Sequence, residues 1–224
     1  MLKTVQHEDG PLGYGYSILT LFREAKKKHD LLITFDADLQ HAPFSIKEII
    51  DEFKADPKID LVSTSRYLSY RFWKNNTKVP VDRYVTNMYL TQTINELFNM
   101  NITDAFCGLK GYKVDVLPDI LDDAGYAFPL VFWNYMTLKS LKIKEIETPI
   151  IYRLDRRSRG EWKVRTHNYF EKLESLVSSE QKKKIIRSYY KKGIEQITEI
   201  IDHYSSFPIY TFNDFFKMKW LDHE

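Results

Sequence analysis

An apolar segment that ends on two carboxylates is the feature of this 224-residue chain that most limits how it can fold. Residues 31–35, LLITF, have the length and composition of a buried β-strand, and DADLQH follows directly. Charged side chains are rarely buried without a partner, so this strand must end at an edge of the core. Alternation along an extended backbone places Asp36 and Asp38 on the same side. In open α/β sheets, ligands bind at such strand ends.

Helices and strands alternate around this segment. Residues 2–6 have a strand-like pattern, and residues 17–28 repeat apolar side chains at helical spacing. The next helix is predicted to begin with Ser45 as its N-cap, because Glu48 three residues later would complete a capping box. Residues 59–65 form the following predicted strand. This order predicts an α/β fold in which a parallel sheet is covered by helices.

The second half of the chain is predicted to be mainly helical. Everything from residue 166 to residue 205 has helical character, so we divide the chain into a first domain, residues 1–165, and a C-terminal helical, basic and aromatic extension, residues 166–224. Two helices, a strand and a basic loop are predicted before that extension, at residues 82–98, 130–141, 143–153 and 153–163 respectively.

The last predicted helix has one apolar face and one basic face. From residue 184 to residue 204, apolar side chains recur at spacings of three and four, and lysines and an arginine cluster in the first half. We favour a helix packed on its own domain with a charged outer face. The alternatives are a dimer contact and attachment to an anionic bilayer surface, to which clustered lysines beside aromatic residues are suited.

Composition disfavours several classes of protein. A net charge of +2 does not favour nucleic-acid binding through a broad basic surface. Cys107 is the single cysteine, which excludes an internal disulfide, fits a reducing compartment and predicts a small buried thiol. The longest uncharged run, residues 124–138, is shorter than the roughly 20 residues of a membrane span. The amino terminus lacks the apolar stretch of a signal peptide. We expect a cytoplasmic protein whose membrane contact, if any, is peripheral at the cytoplasmic face.

The residues after the strand at 31–35 suit a divalent cation. Mg²⁺ and Mn²⁺ prefer carboxylate, amide and phosphate oxygens, and Asp36, Asp38 and Gln40 carry the first two. Two carboxylates on one side could converge on a cation that also bridges to phosphates. A bare D-x-D pattern is expected about once by chance in such a chain, so its position after an apolar strand carries the argument. The alternative is that Asp36 or Asp38 caps the next helix or turn.

Six motifs in order resemble a known family. They are GYGYS before a helix, DADLQHAP after a strand, STSRY after the next strand, DRYVTN at the start of a helix, TDAFCGLKGYKVDVL, and PIIYRLDRRSRGEWK, all between residues 10 and 163. Together they resemble the family 2 glycosyltransferases, and most closely the dolichyl-phosphate mannosyltransferase group. The resemblance implies a Rossmann-like GT-A fold and transfer of a hexose from a nucleotide-sugar.

The resemblance also implies roles for single residues. Asp36, Asp38 and Gln40 would bind the metal and the diphosphate. If the acceptor is a sugar hydroxyl, Asp104 of TDAF is the candidate general base, whereas an acceptor phosphate needs no strong base. Phosphate contacts would come from four basic residues, Arg66, Arg83, Arg157 and Lys163. Asp38, Asp104 and Arg157 are accordingly the predicted catalytic residues. The alternative for the arginines is a surface ion pair or a solvated basic loop.

The chain also departs from that family. Its members usually begin with a strand carrying a P-x-x-N-E motif, a helix, and a second strand ending in DD-S-D, and this sequence shows neither motif. Trp162 also stands where the family has serine. We therefore expect a GT-A domain that is incomplete at its amino terminus and lacks part of the nucleotide-binding region. Whether this chain is active by itself is then an open question.

Three hypotheses for function follow. The favoured one is metal-dependent, inverting transfer of a hexose from GDP-mannose or a UDP-sugar to an acceptor, most simply a polyprenyl or dolichyl phosphate. The second is a non-catalytic glycosyltransferase-like module that docks on a partner or a membrane surface. The third and weakest is a nucleotidyltransferase, which also uses paired aspartates with a divalent ion.

Overall fold

The computed structural model describes residues 4–5, 13–69, 79–121, 125–152, 162–203 and 209–210. The helices are α1 (Tyr14–Lys26), α2 (Phe44–Ala55), α3 (Val81–Phe98), α4 (Phe128–Leu138), α5 (Trp162–Ser175) and α6 (Glu180–His203), with a 3-10 turn at Val114–Val116. The strands are β1 (Leu31–Thr34), β2 (Leu61–Ser65), β3 (Val79–Pro80), β4 (Lys110–Lys113), β5 (Ile143–Glu147) and β6 (Ile209–Tyr210). The strand predicted at residues 2–6 lies mostly outside the described residues, and the structure assigns no strand to Thr4 or Val5.

The main sheet has four strands in the order β1-β4-β2-β5. The predicted α/β class is confirmed, but the predicted parallel sheet is a mixed one, because it contains one antiparallel strand. Strands β1, β2 and β5 run in the same direction, whereas β4 lies antiparallel between β1 and β2. The direction of β4 follows from the edge at which the chain enters the sheet. Lys110, the first residue of β4, pairs with Thr34, the last residue of β1. Since the preceding residues 103–109 are anchored at the edge where β1 and β2 end, β4 must run away from that edge.

Both faces of this sheet are covered, and side chains along the strands alternate between two cores. On one face Leu61 and Tyr112 pack into the larger core with residues from helices α1, α3, α4, α5 and α6. On the other face Val62 and Leu109 pack against Ile49 of α2 and its neighbours. Every residue of β2 is buried, as expected for a strand with both faces covered. The thiol of Cys107 is buried in the core beneath α2, as predicted for the single cysteine of this chain.

The start of α2 differs from the prediction. Pro43, with φ −59°, stands at the N-cap, and Ser45 lies inside the helix with its backbone N–H donating to the Ala42 carbonyl. The Ser45 side chain is fully buried and its Oγ lies 3.3 Å from Oγ1 of Thr148. The predicted capping box is therefore wrong, because the Ser45 hydroxyl joins α2 to the segment after β5 instead.

The two C-terminal helices form a hairpin that packs on α3. Ile186 and Ile197 of α6 are buried, while Lys191 and Lys192 are exposed. The favoured interpretation is thus confirmed in that α6 packs on the rest of the chain through an apolar face and has a charged outer face, while the dimer contact and the membrane attachment stay predictions. The predicted domain boundary at residue 165 lies inside α5, and the division itself stays a prediction. Among the helices described, none is both long and apolar enough to cross a membrane.

Candidate active site

A cavity of about 1140 Å³ opens at the sheet edge where β1 and β2 end. Residues from both strand ends, from four helices and from the connections between them contribute to its wall. The lining consists of Tyr14, Asp36, Asp38, Arg66, Arg83, Thr86, Asn87, Phe106, Gly108, Gly125, Tyr126, Ala127, Pro129, Tyr152, Val164, Arg165, Asn168 and Tyr169. Four of the predicted site residues, Asp36, Asp38, Arg66 and Arg83, therefore meet in one cavity.

The acidic part of the wall is the turn that follows β1. The carboxylate of Asp36 lies 3.1 Å from Nε2 of His41. Asp38 accepts a hydrogen bond from the backbone N–H of Gln40 at 3.0 Å and another from the Gln40 side-chain amide. Leu39 between them has φ +66°, a left-handed conformation that is rare for a branched side chain. The alternative that Asp38 caps a turn is thus observed, and its carboxylate still lines the cavity.

The donor set of this turn fits a divalent cation whose coordination is shared with a ligand. Asp36 and Asp38 supply hard carboxylate oxygens to one cavity, as Mg²⁺ and Mn²⁺ require. Within the described residues, no group of three His, Cys, Asp or Glu side chains is placed to hold a metal. A cation on these two aspartates would therefore take its other ligands from phosphate oxygens and water. The Gln40 amide is turned to Asp38 and lies outside the lining, so its predicted metal contact stays a prediction.

The basic part of the wall is built on a buried ion pair between Arg66 and Asp104. Nε of Arg66 donates to one carboxylate oxygen of Asp104 at 2.6 Å, and Nη2 donates to the other at 2.9 Å. Nη1 of Arg66 donates to the hydroxyl of Tyr152 at 2.8 Å. Burial alone would lower the pKa of Arg66, but the facing carboxylate offsets this and raises the pKa above its ordinary value. The guanidinium is therefore charged and fixed in orientation.

Asp104 is fully buried beneath this wall. Besides Arg66, its carboxylate accepts hydrogen bonds from Nδ2 of Asn87 at 2.9 Å and from the backbone N–H of Phe106 at 3.1 Å. Burial would raise the pKa of Asp104, but the charge and hydrogen bonds of Arg66 outweigh it and lower the pKa. A buried carboxylate with a lowered pKa and both oxygens occupied suits a residue that positions Arg66 better than it suits a general base. The predicted base role stays a prediction.

The ring of Tyr152 lies close to two arginines of the cavity. The guanidinium carbons of Arg66 and Arg83 lie 5.6 Å and 5.9 Å from its centroid, which is within cation–π range. Arg83 is exposed on the first turns of α3, where Thr86 and Asn87, one helical turn later, also line the cavity. Tyr152 was not among the predicted site residues, although it is the last residue but one of the strand predicted at residues 143–153.

Of the basic loop predicted at residues 153–163, the described residues include only the last two. Arg157 lies outside the described residues, so its predicted catalytic role stays a prediction. Lys163 is exposed on α5, with its ammonium 5.4 Å from the ring centroid of Trp162, and it is not part of the cavity wall. Arg165, two residues further along the same helix, does line the cavity. Two residues turn about 200° around a helix, so Lys163 and Arg165 lie on nearly opposite sides of α5.

Comparison with known proteins agrees with this geometry. The model of Glycosyl transferase family 2 matches residues 3–121. The chain is 30% identical over 113 residues to the UDP-N-acetylglucosamine--dolichyl-phosphate N-acetylglucosaminyltransferase of Methanococcus voltae, a match that covers 50% of this chain and 43% of that protein. The chain therefore spans less than half the length of this curated relative.

Solved structures of glucosyl-3-phosphoglycerate synthase from Mycobacterium tuberculosis share the fold. The complex with phosphoglyceric acid aligns with a TM-score of 0.54 at 16% identity, over 80% of this chain and 58% of that one. The complex with Mn²⁺ and UDP-glucose aligns with a TM-score of 0.53 at 16% identity, over 75% of this chain and 56% of that one. These likenesses support the GT-A-type architecture predicted from the motifs. The family model matches more than half of the residues of this chain, and the chain therefore belongs to glycosyl transferase family 2.

Proposed function

We propose that this protein transfers a hexose from a nucleotide-sugar to a phosphate-bearing acceptor, with inversion at the anomeric carbon. The observation that carries the proposal is the arrangement of charge in one cavity, with Asp36 and Asp38 in its wall together with Arg66 and Arg83. Both substrates would be anionic near the reacting atoms. A site for them needs a cation for the leaving diphosphate and guanidinium groups for the acceptor.

The chemistry follows from these charges. An acceptor phosphate oxygen forms a bond to the anomeric carbon from the face opposite the diphosphate, while the bond from that carbon to the diphosphate oxygen breaks. The electron pair of the broken bond leaves with the nucleoside diphosphate. Mg²⁺ or Mn²⁺, when bound, neutralises charge on the leaving group. The protein's own part is that Asp36 and Asp38 hold the cation, and that Arg66, fixed by Asp104, orients the acceptor phosphate.

Two properties of similar proteins support the choice of substrates. The curated relative is named as using UDP-N-acetylglucosamine and dolichyl phosphate, and the solved structures contain UDP-glucose with Mn²⁺ or phosphoglyceric acid. We therefore place a UDP-sugar or GDP-mannose as the donor and a polyprenyl or dolichyl phosphate as the acceptor. A non-catalytic module that docks on a partner remains the second candidate, because the chain spans only part of these proteins.

The test is a transfer assay with purified protein, Mn²⁺, a labelled UDP-hexose or GDP-mannose, and farnesyl phosphate as a short acceptor. We expect a labelled glycolipid whose formation falls by about 100-fold or more in Asp38→Asn, the loss typical of removing an electrostatic catalytic group. Absence of product with every donor, in a protein that still binds the nucleoside diphosphate with Mn²⁺, would favour the non-catalytic module instead.

A further inference from the structure

One wall of the cavity comes from α5, which lies after the family match at residues 3–121. Val164, Arg165, Asn168 and Tyr169 of this helix line the cavity. Their spacing of one, four and five residues puts them on one side of a helix, since positions three and four apart are neighbours on its surface. Helix α5 is thus part of the cavity wall.

Arg165 is held in place by the start of α3. Its Nη2 donates to the carboxylate of Asp82 at 3.0 Å, and Asp82 is buried. The hydroxyls of Thr86 and Thr166, both buried, lie 2.9 Å apart and join the same two helices one turn further along. A guanidinium has five N–H donors, so an arginine that bonds Asp82 through Nη2 can still present donors to an anion. The carboxylate fixes the direction in which they point.

Arg165 brings a third guanidinium to the cavity, after Arg66 from the end of β2 and Arg83 from α3. Arg66 and Arg165 each face a buried carboxylate, Asp104 and Asp82, on the protein side. Such pairing keeps the arginines charged and ordered at low local dielectric, which is the arrangement that binds a phosphate through charge-assisted hydrogen bonds.

Beside Arg165, α5 also presents an aliphatic and an aromatic side chain, Val164 and Tyr169, to the cavity. The rings of Tyr169 and Phe106 lie 4.9 Å apart between centroids, and both line the cavity. Val164 also lines the cavity and is 62% exposed. An apolar side chain held open to solvent at the wall of a charged cavity is suited to a ligand that is partly hydrocarbon.

We infer that α5 recognises the acceptor: Arg165 binds the phosphate of a phosphate monoester, and Val164 with the Tyr169–Phe106 pair contacts the apolar part of its alcohol. The inference rests on the proposed function and adds to it the element that selects the acceptor. Helix α5 would distinguish acceptors by their carbon skeleton. Arg165 would bind any phosphate monoester, whereas the apolar side chains would favour an ester of a hydrocarbon alcohol over an ester of a polar alcohol.

The experiment measures binding of farnesyl phosphate, 3-phosphoglycerate and inorganic phosphate to the whole chain by calorimetry, without donor. We expect farnesyl phosphate to bind most tightly, and Arg165→Gln to weaken binding of all three by about tenfold or more. Val164→Asn, which adds polarity without charge, should weaken binding of farnesyl phosphate alone. Arg187→Gln is the matched control, because Arg187 also pairs with a carboxylate, that of Glu174, but lies outside the cavity wall.

Because Arg165→Gln leaves Asp82 buried without this partner, the double variant Asp82→Asn with Arg165→Gln removes both charges and keeps the test independent of folding. Equal binding of farnesyl phosphate by this folded double variant and by the wild type would overturn the inference. So would a loss in Lys163→Gln together with no loss in Arg165→Gln. Metal-dependent binding of the nucleoside diphosphate, which tests the proposed function, should survive in the Arg165 variants.

Discussion

The buried ion pair between Arg66 and Asp104 ties the end of β2 to the segment that leads into β4. Removing one partner of such a pair leaves an uncompensated buried charge, which costs far more than the pair itself contributes. Its orientation matters for function as well, because the same contact directs the Arg66 guanidinium along the cavity wall towards Tyr152. Asp104, which orients the basic end of the site, is itself fully buried and lies outside the cavity lining.

We predict that Asp104→Asn lowers the free energy of unfolding by about 3–5 kcal/mol, measured by urea denaturation at pH 7. The exposed pair between Asp56 and Lys142 provides the control, and Asp56→Asn should have a far smaller effect. A loss in Asp104→Asn no larger than that of the control would contradict the importance assigned to the buried pair.

The pH dependence of this contribution has a defined sign. The pKa of Asp104 is lowered in the folded protein, so the unfolded chain binds its proton more tightly. The stabilisation is therefore fully present above the pKa of an unfolded aspartate, about 4, and is lost as the pH falls towards the lower folded value. Urea denaturation between pH 7 and pH 3 should show this loss in the wild type. A similar fall with pH in Asp104→Asn would assign it to other groups.

Gly108 determines how closely β4 approaches the acidic turn. A Cβ at this position would lie 2.5 Å from Oδ2 of Asp36, well inside contact distance. Since that oxygen is the end of a side chain that can move, we predict that Gly108→Ala folds normally but displaces the carboxylate and weakens Mn²⁺-dependent diphosphate binding by about tenfold or more. Gly193→Ala on α6, far from this turn in sequence and outside the cavity wall, is the control and should bind as the wild type does.

Order along the chain is enough to predict part of the site at this scale. Asp36, Asp38 and Arg66 follow strands, and Arg83 opens a helix, so their convergence at one sheet edge follows from α/β topology. The positions of Arg165 and Tyr152 do not follow from this order. For Arg165 the reason is that the side of α5 that faces the cavity depends on how this helix packs against α3. The helical spacing of Val164, Arg165, Asn168 and Tyr169 is visible in the sequence, but nothing in it indicates which side is inward.

At the scale of elements, β4 is the strand on which the sheet depends. It pairs antiparallel with both β1 and β2, and its Gly111 lies directly under α2. The sequence predicts the helices and strands on either side well, since their periodicity is strong. It does not predict β4 as a central antiparallel strand, because four residues, KGYK, carry too little periodicity and the direction of entry is set by the anchored segment before them.

We predict that Gly111→Ala destabilises the protein by about 1–3 kcal/mol, the usual cost of adding a methyl group to a packed core. A Cβ there would lie 2.2 Å from Cγ2 of Ile49 and 2.9 Å from Cε2 of Phe53, which requires α2 to move away from the sheet. Thermal or urea unfolding measures the change. In a double variant with Ile49→Ala, which removes the Cγ2 atom at this contact, the loss should be smaller than the sum of the two single losses. Additive losses would place the strain elsewhere.

At the scale of the whole molecule, the cavity joins two parts of the chain. The sheet edge and the turn after β1 lie within the residues that match the family, while α5 lies beyond them and is held to α3 by the Arg165–Asp82 and Thr86–Thr166 contacts. In the proposed function, Asp36 and Asp38 hold a divalent ion that binds a nucleoside diphosphate in this cavity.

The most direct measurement is calorimetric titration of UDP and of GDP into the purified chain, with Mn²⁺ and with EDTA in its place. We predict binding that requires Mn²⁺ and that falls by about tenfold or more in Asp36→Asn and in Asp38→Asn, because each variant removes an anionic ligand of the ion. Binding of the same strength in EDTA, or unchanged Mn²⁺-dependent binding in both variants, would contradict the claim.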